Sequence, residues 1–525
     1  MRDFQAPGRS AIFATNGMCA TSHPLAAQAA VKILQDGGNA VDAAIAGAVL
    51  LGICEPQMTG IGGDLFALIQ RDPNSPVVAL NGSGRAPAAA DASKLRDRGL
   101  ATVPLHSADA VTIPGAVDAF CTLATDYGSM SLEQVLAPAI HYAETGVPVA
   151  PRVAFDWIES APALWGKARD LYLKNGLPLI AGEIFAAPNQ AKVLRAIAKQ
   201  GRDGFYTGQI AQDMVSSLNA QGGCHTLADF AGNTCDYHTP IQAEYKGVDM
   251  IEHPPNGQGA TALLMLNMMK CFDFASMDPW GAERVHMEAE IAKLAYDARN
   301  RFLTDPDHMD RIDHMLSQDT ANKLAALIDP KRAMASPAAL SESVHRDTTY
   351  ITVVDRNRMA VSLIYSIFHG FGSGIASDEF GILFQNRGAG FTLDQGHPNE
   401  LAGGKRPMHT IIPGMLANNG RVTMPFGVMG GAYQPHGHAR FLSNMVDFGL
   451  DAQAAIDAPR SFFDAGQLRL ERGYGDATRQ ALVDMGHNVV TPDGPIGGAQ
   501  SILMRDDGIL QGASDPRKDG CAIGY

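Results

Sequence analysis

Before its middle the chain alternates helical and short extended patterns, and from residue 348 the rhythm of apolar and polar positions becomes that of strands. The stretch 22–56, "SHPLAAQAAVKILQDGGNAVDAAIAGAVLLGICEP", predicts two helices. Ser22 can cap the first, Pro24 sits in its first turn, Gly37 and Gly38 stop it, and Pro56 stops the second. Both are rich in alanine, which lets them lie close against a sheet. "GIGGDLFALIQRD" and "SPVVALNGSG" predict β-rich segments marked by glycine, followed by helices to about residue 330 with loops at points such as "HPPNGQG". Beyond that the pattern predicts strands over 348–355, 359–368, 380–386, 410–417 and 421–427, helices near 437–448 and 475–485, and strands again near 499–513. The first two strands read as a hairpin of alternating residues turning at Asn357. Strands flanked by helices on both sides of residue 348 predict a layered α/β architecture, with 304–347 as its seam.

Composition narrows the class. A chain of 525 residues with 46% hydrophobic content can bury a large core. A net charge of −14 without acidic blocks argues against nucleic acid and anionic membrane as partners. Seven scattered cysteines with no C-x-x-C pair suggest neither a disulfide framework nor a zinc knuckle. No apolar run has the length of a secretory core or a membrane span, so a cytoplasmic protein is expected.

Several motifs carry no chemistry. "GFGSG" at 370–374 is followed by "IASDEFGILF" rather than a helix, which removes a dinucleotide loop, and "GGKRP" at 403–407 lacks phosphate-loop spacing. No G-x-S-x-G elbow exists. In "DPDHMDRIDH" the i,i+6 spacing of His308 and His314 puts them on different helical faces, so a solvated segment is expected there. His436 and His438 read as a loop or helix start. No metal and no organic cofactor are expected.

Thr348 is different. A threonine hydroxyl is a weak nucleophile without an adjacent base, and cleavage of the preceding peptide bond would supply one in its own α-amine. That amine titrates near ~7.7–8.0, so a useful fraction is neutral at physiological pH. The surroundings strengthen this reading. "TTYITVVDRNRMAVSLIYSIFHGFGSGI" resembles the start of the small subunit of the γ-glutamyltransferases, N-terminal-nucleophile hydrolases made as one chain that cleaves itself before a threonine. "GGNAVDAAIA", "MTGIGGDLF", "TIPGAV", "GRDGFYTG", "YDARNRF", "KRPMHTIIP", "GVMGGAYQ" and "QGASDPRKDGCAIGY" follow in that family's order.

The resemblance implies a four-layer αββα sandwich of one structural domain, divided into a large subunit (1–347) and a small subunit (348–525). It implies Thr348 as nucleophile, Asp347 as the residue released at the cut, Ser366 as the hydroxyl that holds the amine, and Gly430 and Gly431 as the oxyanion hole. The substrate pocket departs from the family pattern. Glutamyl-specific members grip the α-carboxylate and α-amino groups with an arginine, an asparagine, a glutamine, an aspartate and two serines. Here those places hold Ser83, Phe368, Arg387, Gly390, His409 and Thr410. The candidate substrate-binding set is therefore Ser83, Arg85, Phe368, Arg387, His409 and Thr410, with Arg85 free to point elsewhere and no acidic partner for an ammonium. The stretch 391–405 is short where relatives carry a covering loop, which predicts a more open site. The pattern resembles a subgroup that includes oxamate amidohydrolase and cephalosporin-acylase-like members.

The expected function is hydrolysis or acyl transfer on small amides with a carboxylate-bearing acyl group, through an acyl-enzyme on Thr348. A true glutathione hydrolase with a rebuilt pocket is one alternative; an uncleaved, non-catalytic relative that binds a small acid is the other. The only protein partners expected are the two subunits of one precursor, with room for a homodimer of processed heterodimers.

Overall fold

The computed structural model describes Gln5 and residues 8–335 and 348–525. Its two main sheets are built from β1 (Ile12–Ala14), β2 (Met18–Thr21), β3 (Asp64–Gln70), β4 (Val77–Gly82), β5 (Asp236–His238), β6 (Ile241–Tyr245), β7 (Val248–Glu252), β8 (Thr349–Val354), β9 (Ala360–Ser366), β10 (Gly414–Asn418), β11 (Arg421–Met429), β12 (Gly498–Met504), β13 (Leu510–Ser514) and β14 (Cys521–Gly524). One sheet runs β14-β2-β8-β9-β3-β4-β5 and the other β1-β13-β12-β11-β10-β7-β6, both antiparallel throughout. Helices α1 (Pro24–Gln35) and α2 (Ala40–Cys54) pack outside the first sheet; α3 (Gly259–Met269) and α5 (Gln434–Val446) pack outside the second, with α4 (Ala282–Phe302) beyond them. The result is the αββα sandwich. Each sheet shares a core with its helices, and smaller apolar clusters fill the space between the sheets.

Helix α2 shows how the sequence builds this. A capping box starts it: Asn39 Oδ1 accepts from the Asp42 backbone N–H at 3.1 Å, and Asp42 Oδ2 accepts from the Asn39 N–H at 2.9 Å. Every residue of α2 is buried, so its small side chains are packed all round rather than along one stripe.

The β8–β9 hairpin turns at residues 356–358, but its alternation does not separate buried from exposed positions. Both strands are buried along their whole length because one face meets α2 and the other meets the second sheet. Their polar residues are satisfied inside: Tyr350 Oη and Ser362 Oγ lie 2.7 Å apart, and Thr352 Oγ1 donates to the Val361 carbonyl.

Two expectations are corrected. Residues 380–386 are extended but join no sheet: the Phe384, Gln385 and Asn386 N–H groups donate to the carbonyls of Ile375, Gly62 and Ile367, so the segment crosses the end of the sheet. Residues 236–252, expected within the helical region, form β5, β6 and β7. Their hairpin turns at Lys246 and Gly247, both at positive φ, between alternating runs; the half-exposed edge position dilutes the apolar signal.

The polar segment around His308 and His314 is exposed at both histidines, and His436 and His438 lie within the first five residues of α5. No helix among the described residues is long and apolar enough to cross a membrane.

Candidate active site

A row of polar residues crosses the end of the first sheet. Register pairs Ser366 with Asp64 on neighbouring strands, Leu65 with Gly82, and Thr349 with Tyr365. Continued by one residue at each outer strand, it sets Thr348 across from Ser366 and Ser83 across from Asp64. Paired residues in an antiparallel ladder project to the same face. That face looks toward the second sheet, since Ser362, four residues back along β9 and so on the same face as Ser366, donates to the Phe426 carbonyl of β11 at 3.1 Å. The next same-face row, Phe66, Ile364 and Tyr350, packs with Ile411 and Met429 as an apolar floor. Thr348, Ser366, Asp64 and Ser83 are each 1% exposed or less. The row is therefore closed to solvent in the continuous chain.

Above it, Arg387 joins several of the sequence-predicted residues. Its Nη1 donates to Thr410 Oγ1 at 3.0 Å and its Nη2 to Ser366 Oγ at 3.2 Å, while its guanidinium carbon lies 4.2 Å from the Phe368 ring centroid. Ser366 Oγ also accepts from the Phe368 backbone N–H at 2.9 Å. Burial pulls the Arg387 pKa down to about 9 against the attraction of Asp64, which leaves it cationic at neutral pH. Among the described residues, only two of its five N–H donors have partners, and Nε has none.

Asp64 was not singled out by sequence. Its Oδ1 accepts from the Gly84 N–H (2.9 Å), the Gly115 N–H (3.2 Å) and Gln385 Nε2 (3.0 Å). Its Oδ2 lies 3.2 Å from His409 Nε2. The expectation of a pocket without an acidic group is thereby corrected: position 390 is glycine, but a carboxylate enters from β3. The available signal was a charged residue opening an otherwise apolar strand in "GIGGDLFALI". His409 is fully buried, and burial and then the Arg387 charge pull its pKa down to about 4, so it is neutral.

Two predicted residues stand apart. Arg85 is part-exposed, donates to the Gly404 carbonyl at 3.1 Å and faces Asp305 at 3.4 Å. Ser83 lies in the row, but its Oγ accepts from Asn256 Nδ2 at 3.0 Å. Asp347 lies outside the described residues.

Gly430 follows β11 with φ +122°, and a Cβ there would fall 2.9 Å from Gly497 Cα, so only glycine fits. Its carbonyl accepts from the Tyr433 N–H at 3.0 Å. In a trans peptide this turns the Gly431 N–H the opposite way. A cleft opens beside Gly430, lined by Tyr433, Phe462, Asp464, Arg469, Ile496 and Lys518.

Among the described residues, the one grouping with metal-ligand chemistry is His286, Glu290 and His487. Most of its ring and carboxylate atoms already have protein partners: His286 Nε2 meets the Asp329 carbonyl, His286 Nδ1 meets His487 Nε2, and Glu290 accepts from Lys293 Nζ and the Met334 N–H. It holds residues 329–334 against α4.

The sequence matches the family described as gamma-glutamyltranspeptidase over residues 26–525. It is 36% identical to the glutathione hydrolase-like YwrD proenzyme of Bacillus subtilis, covering 98% of this chain and 99% of that protein. It is 34% identical to the oxamate amidohydrolase proenzyme of Klebsiella pneumoniae, covering 97% and 99%. The fold superposes on the crystal structure of cephalosporin acylase from Bacillus halodurans with a TM-score of 0.92 at 37% identity, covering 100% of this chain and 99% of that one.

Proposed function

Because the chain belongs to the γ-glutamyltranspeptidase family and is an enzyme of that family, we propose that it is an amide hydrolase cut between Asp347 and Thr348, acting on donors whose acyl group carries a carboxylate. Cleavage yields a large subunit (1–347) and a small subunit (348–525) and frees the Thr348 α-amine. The amine takes the proton of Thr348 Oγ as the oxygen bonds to the amide carbon, then passes it to the departing nitrogen. Water cleaves the resulting ester by the same proton route, and an amine in its place gives acyl transfer. Gly430 and Gly431 serve the tetrahedral oxygen through backbone N–H groups, where one donor is typically worth ~2.7–4 kcal/mol in the transition state. The cleft beside Gly430 is then the exit for the leaving group.

The observation that carries the substrate class is Arg387. A buried guanidinium held, among the described residues, by two hydroxyl oxygens and with Nε unfilled calls for an anion, and its fork suits a carboxylate. An anion held there would lie near Ser366, which supports this reading. Asp64 favours a second reading, a true glutathione hydrolase whose ammonium partner has moved from position 390 to position 64. Comparing kcat/KM for γ-glutamyl amides with matched glutaryl or shorter dicarboxylic monoamides separates the two. The first reading expects the simpler acids to be preferred and their turnover to fall about a hundredfold in Arg387→Ala, in line with a charged hydrogen-bonded pair. A γ-glutamyl preference that depends on the amino group supports the second.

A further inference from the structure

Two groups beside Arg387 have unused hydrogen-bonding capacity of the opposite kind. Among the described residues His409 Nδ1 and Gln385 Oε1 are buried without partners, and both side chains converge on Asp64, Gln385 through Oδ1 and His409 through Oδ2. The His409–Asp64 approach, 3.2 Å, is not aligned as a good hydrogen bond, yet it fixes the tautomer. A carboxylate oxygen only accepts, and a bare ring nitrogen facing it would be repelled, so the single proton of neutral His409 belongs on Nε2. Nδ1 is then a lone pair aimed away from Asp64. The groups gathered around Asp64 are thus a cationic donor fork, Arg387, and two neutral acceptors, His409 Nδ1 and Gln385 Oε1.

Resting on the reading of Arg387 as the carboxylate anchor, we infer that His409, oriented by Asp64, is a specificity residue that accepts a hydrogen bond from a neutral donor, a hydroxyl or carboxamide N–H, carried next to that carboxylate. An ammonium fits less well. Asp64 Oδ1 is filled by three N–H groups, and the Arg387 charge that disfavours protonation of His409 disfavours a second cation beside it. A keto group at that position fits worst, because two acceptors would face each other.

Calorimetric titration of the processed protein with four five-carbon diacids tests this: glutarate, 2-hydroxyglutarate, glutamate and 2-oxoglutarate. In the parent, 2-hydroxyglutarate is expected to bind about tenfold more tightly than glutarate, glutamate no better than glutarate, and 2-oxoglutarate more weakly. His409→Phe should erase the hydroxyl preference, so that 2-hydroxyglutarate binds no more tightly than glutarate. Asp64→Asn presents an N–H₂ group to His409 Nε2, moves the ring proton to Nδ1 and should raise 2-oxoglutarate about tenfold relative to glutarate; a melting curve checks that each variant is folded. Equal binding of glutarate and 2-hydroxyglutarate, a hydroxyl preference that survives His409→Phe, or glutamate as the tightest ligand overturns the inference. Arg387→Ala tests the anchor separately. Loss of all four ligands there supports the anchor whatever their order in the parent, binding that persists there removes the anchor, and no binding of any diacid to the parent overturns both.

Discussion

Arg387 Nη2 donates to Ser366 Oγ across 3.2 Å, and the strand register sets Ser366 directly opposite Thr348. One hydrogen bond therefore separates the candidate anion anchor from the residue beside the candidate nucleophile. Ser366 Oγ accepts from both Arg387 and the Phe368 N–H, which ties the end of β9 to the anchor.

Ser366→Ala should accordingly lower kcat up to about tenfold, with KM changing less, because a net hydrogen bond is worth ~0.5–1.5 kcal/mol and no large cavity is created. Steady-state kinetics on the processed variant, with a melting curve alongside, checks this. Parent-like turnover would reduce Ser366 to an ordinary strand residue.

Gly430→Ala should cost more. The added Cβ meets backbone at Gly497 and the φ of +122° is strained for alanine, so the peptide bearing the Gly431 N–H must shift. A kcat loss of about a hundredfold or more is expected with donor affinity nearly intact, as for removal of an oxyanion donor. An equal loss in affinity would place Gly430 in substrate binding instead.

How much of this was legible in the sequence depends on what each segment packs against. Helices α1 and α2 declare themselves through alanine-rich runs with glycine and proline stops, which are local signals, although α1 is capped by His23 rather than by Ser22. Residues 380–386 look like a strand because their apolar content is real, but it serves the packing of a crossing segment, and hydrogen-bond partners cannot be read from one sequence. Thr348, Ser366, Gly430 and Gly431 were reached through the family resemblance; as bare residues they pass for strand and turn formers. Asp64 escaped because its meaning comes from Gly84, Gly115, Gln385 and His409, all distant along the chain. The burial of Arg387 had no local signal, since arginines are usually exposed.

Stability should fall in mild acid. Burial lowers His23 and His409 to about 4 and His253 and His487 to about 3. Against an ordinary value near ~6.5, the unfolded chain takes up these protons first. Their contribution is full above about pH 6.5 and is lost as pH falls toward 4, by about 1.4 kcal/mol per unit for each group. Glu55, raised to about 7 by burial, acts in the opposite sense: its contribution is full below about pH 4.3 and is lost as pH rises to 7. Four groups outweigh one, so the Tm should rise between pH 4 and 6.5. A Tm that is flat or falling over that window would contradict the neutral burial of these histidines.

The most direct test of the central claim is the intact mass of the purified protein and of Thr348→Ala. The account predicts two fragments for the parent, ending at Asp347 and beginning at Thr348, with amidase activity appearing as they form, and a single uncut, inactive chain for the variant. A parent that hydrolyses amides while remaining one full-length species would contradict it.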